Sequence, residues 1–302
     1  MTKNVKNLIV ILGPTGIGKT SLSIDLAKHY KTEIISSDSR QFYKELKIGT
    51  AAPTQEQLSI IKHHFIGNIS IHDYYNARIF ENQAIKTLNN IFKTKNTAIM
   101  VGGSGMYIDA VCNGIDDMPD IDPKIRNFLI QKYKNQGIEA LRLELKRLDP
   151  EYYNKVDLKN HKRILRGLEI FYQTGKKYTS FHTNTKKIRD FNIIKIGLFT
   201  DREKLYKQIN LRVEQMIKDG LIDEAQKYIK YKNLNALNTV GYKELFEYFD
   251  KKISIDEAIR LIKRNTRHYA KRQISWFKRY DDINWFNKDN TKNIIEFLSK
   301  PA

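Results

Sequence analysis

The chain has 302 residues, 41% of them apolar, enough to bury a large core and build an α/β domain with a smaller second one. Its 53 lysines and arginines outnumber 34 acidic residues, and the resulting formal charge of +19 exceeds what solubility needs and favours a polyanionic partner. A single cysteine, Cys112, excludes an intrachain disulfide and a cysteine-cluster metal site; it reads as a small buried hydrophobe.

The first apolar run, LIVIL at 8–12, is a short strand and is too brief for a secretory h-region. No later run approaches membrane-spanning length, so a cytoplasmic location with no membrane partner is the expectation. Directly after the strand comes GPTGIGKT, a complete GxxxxGK[ST] phosphate-binding loop formed by Gly13, Pro14, Thr15, Gly16, Ile17, Gly18, Lys19 and Thr20. A helix over 19–30 follows. Glycines let backbone N–H groups turn inward, and the helix N-terminus points at the bound anion. Lys19 would reach the terminal phosphates, and Thr20 could ligate a magnesium ion bridging them.

Residues 33–36 form a second strand, which ends in Ser37-Asp38-Ser39-Arg40-Gln41. A helix over 82–92 leads to a third strand, 97–101, which ends in Gly102-Gly103-Ser104-Gly105. This rhythm predicts an α/β fold, a P-loop NTPase-like parallel sheet flanked by helices, with ligands at the carboxyl ends of its strands. Many NTPases hold a metal with an aspartate after such a strand. Gly102-Gly103 there weighs against a kinase or ATPase. Asp38, at the end of the second strand, is a candidate general base, with magnesium binding and helix capping as its alternatives. The neighbouring His63 and His64 point in different directions and lack a third ligand, which argues against zinc.

The rhythm breaks at 116–123, DDMPDIDP, and helical patterns then run to about residue 190. We read 116–190 as an inserted helical subdomain, with 1–115 and 191–302 forming the core. A strand over 193–199 returns to the sheet, and the remainder reads as helical. Between Arg260 and Arg279 lie Arg260, Lys263, Arg264, Arg267, Lys271, Arg272, Lys278 and Arg279, with no acidic residue. Positions 260, 264, 267 and 271 share one helix face, a stripe suited to a phosphate backbone. Trp276, Phe277 and Tyr280 read as core. Arg212 interrupts an apolar helix face and, on local grounds, is a surface ion pair.

The blocks GPTGIGKT, DSRQFYKELKIGTAAP (38–53), HHF (63–65), GGSGMY (102–107), KRILRGLEIF (162–171), LRVEQMIKDGLIDEA (211–225), VGYKE (240–244) and TRHYAKRQISWFKR (266–279) occur in this order along nearly the whole chain. Together they resemble the bacterial tRNA dimethylallyltransferase family. The resemblance implies transfer of a dimethylallyl group from dimethylallyl diphosphate to N6 of the adenosine immediately 3′ of the anticodon, releasing pyrophosphate. It implies that Lys19, Thr20 and Mg2+ stabilise the leaving pyrophosphate and that Arg212 helps clamp it. Asp38 would accept or steer the N6 proton, and Ser104 would bond a phosphate oxygen or the adenine. Asp38, Ser39, Arg40, Gln41 and Ser104 are expected beside the RNA, with Gln41 reading a base edge. Arg126, Lys162, Arg163 and Arg166 would clasp the anticodon loop, and Arg267, Lys271 and Arg272 would follow the stem phosphates. A monomer with no obligate protein partner is expected.

Two departures stand out. The family's usual GTAKP is GTAAP here, so a lysine is missing, and its GGTGLY is GGSGMY, which keeps the hydroxyl. The rival readings are a P-loop small-molecule kinase, an adenylate prenyltransferase acting on free nucleotides, and a nucleotide-gated RNA-binding switch. The insert and the basic C-terminal part favour a large RNA acceptor, and the switch leaves Asp38 without a task.

Overall fold

The computed structural model describes residues 5–183 and 185–299. Six strands among them form one sheet: β1 Asn7–Leu12, β2 Ile34–Ser36, β3 His63–His64, β4 Thr97–Gly102, β5 Asn192–Phe199 and β6 Ile283–Asn287. Their spatial order is β3-β2-β4-β1-β5-β6, and every pairing is parallel. Central β1 has Ile9 opposite Ile99 of β4 and Ile194 of β5. Covered on both faces, it must be apolar at successive positions, which explains the unbroken run 8–12.

The helices of the sheet unit are α1 Lys19–His29, α2 Gln55–Ile60, α3 Ala77–Ile91 and α4 Gly105–Asn113 before the insert. The insert carries α5 Pro123–Leu148, α6 Pro150–Lys155 and α7 His161–Thr174. After it come α8 Arg202–Lys218, α9 Leu221–Lys227, α10 Tyr242–Phe249, α11 Ile255–Phe277 and α12 Thr291–Ser299. Side-chain caps fix several starts: Asn76 accepts from the Ile79 amide, and Ser254 accepts from the Glu257 amide.

The chain divides into two compact units, one with residues up to Asn113 and from Ile188, the other spanning Gly114–Lys187. In the first, one apolar cluster joins the sheet to α1, α8 and α11 through Ile9, Leu26, Ile99, Ile196, Ile209 and Ala270. A second gathers Leu46, Ile71, Leu221, Leu237, Tyr242 and Ile262. The other unit packs Leu129, Leu141, Leu145, Ile164 and Leu168 together, and α5 is broken at Gly137, whose φ of 73° no ordinary residue adopts readily.

The chain beyond residue 199 is not all helical, because INWFN forms β6 against β5. As an edge strand it is half-buried, so its side chains show no clear alternation, and its partner lies far away in sequence. Cys112 is buried on α4, and burial pushes its thiol up to about 12, in keeping with a core role.

Candidate active site

The phosphate loop is wedged between the end of β5 and α8. Gly13, Gly16 and Gly18 have φ of 148°, 82° and 100°. A methyl on Gly13 would meet the Leu198 carbonyl oxygen at 3.0 Å, and one on Gly16 would meet the Ile209 side chain at 3.1 Å. Thr15, Gly16, Gly18, Lys19 and Thr20 line a cavity of about 310 Å³ together with Asp38 and Arg212. Pro14 and Ile17 turn the other way, into an apolar cleft with Leu198, Leu205 and Ile274. The motif thus serves two surfaces: one for an anion, the other for packing.

Lys19 folds its ammonium back onto the carbonyls of Gly13 and Pro14, at 3.0 and 2.8 Å. Burial, reinforced by the neighbouring Arg212 and opposed by Asp38, lowers it from 10.5 to about 7. Burial also lowers Arg212, again against Asp38. Two crowded cations facing one carboxylate leave a surplus positive charge that a bound anion would relieve. Arg212 also donates to the Thr15 hydroxyl at 3.3 Å, so it is no surface ion pair but part of the cavity wall.

Asp38 accepts from the Arg40 amide at 2.9 Å, an Asx turn that aims the carboxyl group along the cavity wall. Arg40 itself donates to the Asn235 and Ala236 carbonyls, at 2.7 and 3.3 Å, and so anchors the chain locally. Gln41 is occupied at both ends: Nε2 donates to the Thr50 and Ala51 carbonyls, and Oε1 accepts from Ser36. It shapes the 50–53 loop rather than presenting a free amide edge. Ser104 accepts from the Ser39 amide at 3.0 Å and donates to the Ser39 hydroxyl at 3.1 Å. Ser104 thus lines a cleft with Tyr269, Arg272 and Trp276 that adjoins the phosphate-loop cavity at Gln273.

The histidine pair separates. His64 contacts Glu33 at 2.6 Å, while His63 donates through Nδ1 to the Ile61 carbonyl at 2.8 Å and lines the cavity. Burial pulls His63 down, which keeps the ring neutral, and its buried Nε2 has no hydrogen-bond partner. Among the described residues no group of three or more His, Cys, Asp or Glu is arranged to hold a metal ion.

The basic residues fall into two kinds. On α11, Lys271 and Arg272 are exposed, whereas Arg267 is half-buried, bonded to Asn210 at 2.7 Å and stacked over Tyr206. Arg260 pairs with Glu257 and Lys263 with Glu214, so carboxylates outside the basic window offset the like-charge crowding. In the helical unit Lys162 and Arg163 are exposed, while Arg126 grips buried Glu169 with two bonds of 2.8 and 3.1 Å and Arg166 approaches the same carboxylate at 3.6 Å. Trp276 and Tyr280 both donate to Asp109, at 3.1 and 2.6 Å, and so fasten the end of α11 to α4, while Phe277 is buried.

Sequence reasoning assigned no role to Gln273, which bridges the phosphate loop and the glycine turn after β4. A signal existed: Ile262, Ala270, Gln273 and Phe277 lie on the buried stripe of α11, and an amide there needs partners.

The sequence matches the IPP transferase family over residues 41–280. It is 52% identical over 293 residues to tRNA dimethylallyltransferase 1 of Bacteroides fragilis, covering 97% of each chain. It is likewise 52% identical over 292 residues to the tRNA dimethylallyltransferase of Christiangramia forsetii, covering 96% of this chain and 97% of the relative. Among solved structures, the tRNA isopentenylpyrophosphate transferase of Bacillus halodurans is similar at 33% identity and a TM-score of 0.72, covering 97% of this chain and 96% of that one. A eukaryotic dimethylallyltransferase described as acting on tRNA is similar at 26% identity and a TM-score of 0.82, covering 98% and 81%.

Proposed function

We propose a prenyl transfer to tRNA for this chain, which belongs to the IPP transferase family. The donor is dimethylallyl diphosphate, the acceptor is N6 of the adenosine immediately 3′ of the anticodon, and the second product is pyrophosphate. The observation that carries the reading is the joint presence of Lys19, Arg212 and Asp38 in one cavity built on a phosphate loop. It supports a site that holds a diphosphate as leaving group beside a carboxylate serving an incoming amine. The phosphate loop and Asp38 follow the carboxyl ends of β1 and β2 in this P-loop NTPase-like sheet, and α8 contributes Arg212.

In this mechanism the allylic carbon–oxygen bond breaks, its electron pair leaves with the pyrophosphate, and N6 bonds to the allylic carbon. Loop amides, Lys19 and Arg212 face the oxygens on which charge grows, an environment fixed before the reaction. Asp38 orients the amine and takes its proton. Thr20 lines the cavity, and its hydroxyl would be this chain's ligand to a Mg2+ ion. When bound it neutralises diphosphate charge.

Exposed Lys271, Arg272, Lys162 and Arg163 support contact with RNA phosphates, and the +19 charge supports attraction over longer range. No helix among the described residues is long and apolar enough to cross a membrane. We take the protein to work in the cytoplasm as a monomer. The test is incubation with labelled dimethylallyl diphosphate or γ-labelled ATP, each with an anticodon stem-loop bearing the acceptor adenosine. Prenyl label should enter the RNA and phosphate label should enter nothing; faster phosphorylation would sink the assignment.

A further inference from the structure

Gln273 is 5% exposed, on the buried face of α11 near its C-terminal end. Its Oε1 accepts from the Thr15 amide at 2.8 Å, and its Nε2 donates to the Gly103 carbonyl at 2.9 Å. Since Thr15 offers a donor and Gly103 an acceptor, only this orientation of the amide satisfies both. One side chain therefore ties the loop after β1 to the turn after β4, from a helix 258 positions beyond the loop. Gly103 is shaped to admit it: a methyl there would sit 2.1 Å from Nε2, although Gly103 is not among the positive-φ glycines. The space that Nε2 occupies, not backbone freedom, favours glycine at this position.

A loop containing three glycines in left-handed or related conformations has many alternatives in solution. A diphosphate must find the cradle already formed, or spend binding energy forming it. We propose that Gln273 is a positioning residue that presets the phosphate loop for the diphosphate, and that Gly103 exists to make room for it. The inference rests on the reading of this loop as a diphosphate site. It differs from the roles of Lys19 and Arg212, since both polar atoms of Gln273 are engaged by the protein.

The probe is inorganic pyrophosphate, titrated calorimetrically into the full chain without RNA, beside separate titrations of an anticodon stem-loop. Gln273→Ala and Gly103→Ala should each weaken pyrophosphate about tenfold, with RNA affinity within about twofold. In steady state KM for the donor should rise while kcat at saturating donor stays within about threefold. The double variant should bind pyrophosphate no more weakly than Gln273→Ala alone, because deleting the amide frees the space that the new methyl occupies. Should Gln273→Ala not fold, Gln273→Met, which keeps the volume and neither bond, is expected to show the same loss. Pyrophosphate affinity unchanged by the Gln273 substitution, or additive losses in the double variant, would overturn the proposal alone. A wild type that binds no pyrophosphate would overturn the functional reading with it.

Discussion

Arg212 donates to the hydroxyl of Thr15 at 3.3 Å, fastening α8 to a loop 197 positions earlier in the chain. Thr15 is thus held by its side chain from α8 and by its amide from α11. Arg212 has a second duty, since its guanidinium walls the cavity and crowds Lys19. Lysine supplies the charge but not the planar fork that can hold Thr15 and an anion together. Arg212→Lys should raise KM for dimethylallyl diphosphate about tenfold, and Arg212→Ala by a further factor of about ten. Pyrophosphate titrations of both variants check this; equal affinities for wild type and alanine variant would remove Arg212 from the diphosphate site.

The lowered Lys19 ammonium makes a prediction about stability. Folded, it titrates near about 7; in the unfolded chain it returns to 10.5. Between these values the unfolded chain binds more protons, so this group makes stability rise with pH across that window. Below about 7 the folded protein carries the full cost of a confined charge. Lys19→Met should therefore be more stable than its parent at pH 6 without ligand, with the advantage shrinking as pH climbs toward 10.5. Saturating pyrophosphate should reverse the ranking. Urea midpoints at pH 6 and pH 9 decide it, and an advantage that grows with pH would contradict the argument.

Not every basic residue on α11 should count equally toward RNA. Lys271 and Arg272 are exposed, and their joint replacement by alanine should lower the slope of log affinity against log salt by about 1.5 to 2. Adding Arg267→Ala should change the slope little and reduce stability instead, because that guanidinium is spent on Asn210 and Tyr206. A slope reduced equally by all three would mean that Arg267 leaves its protein partners when RNA arrives.

The contrast between Arg267 and Lys271 marks how far the sequence could be read. Contiguous features were legible: the loop from Gly13 to Thr20, the continuous apolar strands around it, and Asp38 at a strand end, which does line the cavity. Arg212 was legible only through the resemblance, since its local pattern pointed to the surface. What escaped depends on where side chains point across long separations. Ser104 turns to Ser39, 65 positions away, and Gln273 reaches Gly103 across 170. The edge strand β6 escaped because half-burial leaves little periodicity.

Glu224 tests the architecture around the site rather than its chemistry. Its carboxylate accepts from the amides of Lys47, Ile48 and Gly49, at 2.9 to 3.1 Å, and from the Tyr242 hydroxyl at 2.5 Å. The same loop continues to Thr50, Ala51 and Pro53 in the cavity wall. Glu224→Ala strands several donors at once and should cost about 2 to 4 kcal/mol of stability. Glu224→Gln, which keeps one acceptor oxygen, should cost about half as much. Denaturant titrations measure both; a loss below about 0.5 kcal/mol for alanine would mean that water replaces the carboxylate freely.

Asp38→Asn separates three roles for one carboxyl group. The swap preserves size and one acceptor oxygen, so the bond from the Arg40 amide should survive and the fold should hold. If Asp38 takes the N6 proton, turnover should fall by about 10²- to 10⁴-fold with RNA affinity unchanged. The adenine amine is barely basic; if its proton leaves only after the carbon–nitrogen bond has formed, orientation contributes much of the effect, and the loss should sit toward the lower end of that range. A role in holding magnesium predicts instead that the variant recovers as metal is added, because a weakened ion site refills by mass action. A role confined to the Asx turn predicts almost no loss, since asparagine makes that turn equally well. Single-turnover rates at saturating RNA, measured for both proteins across a magnesium series, distinguish these outcomes. We expect a deficit that magnesium does not repair; a variant within about threefold of wild type throughout would leave Asp38 only its turn.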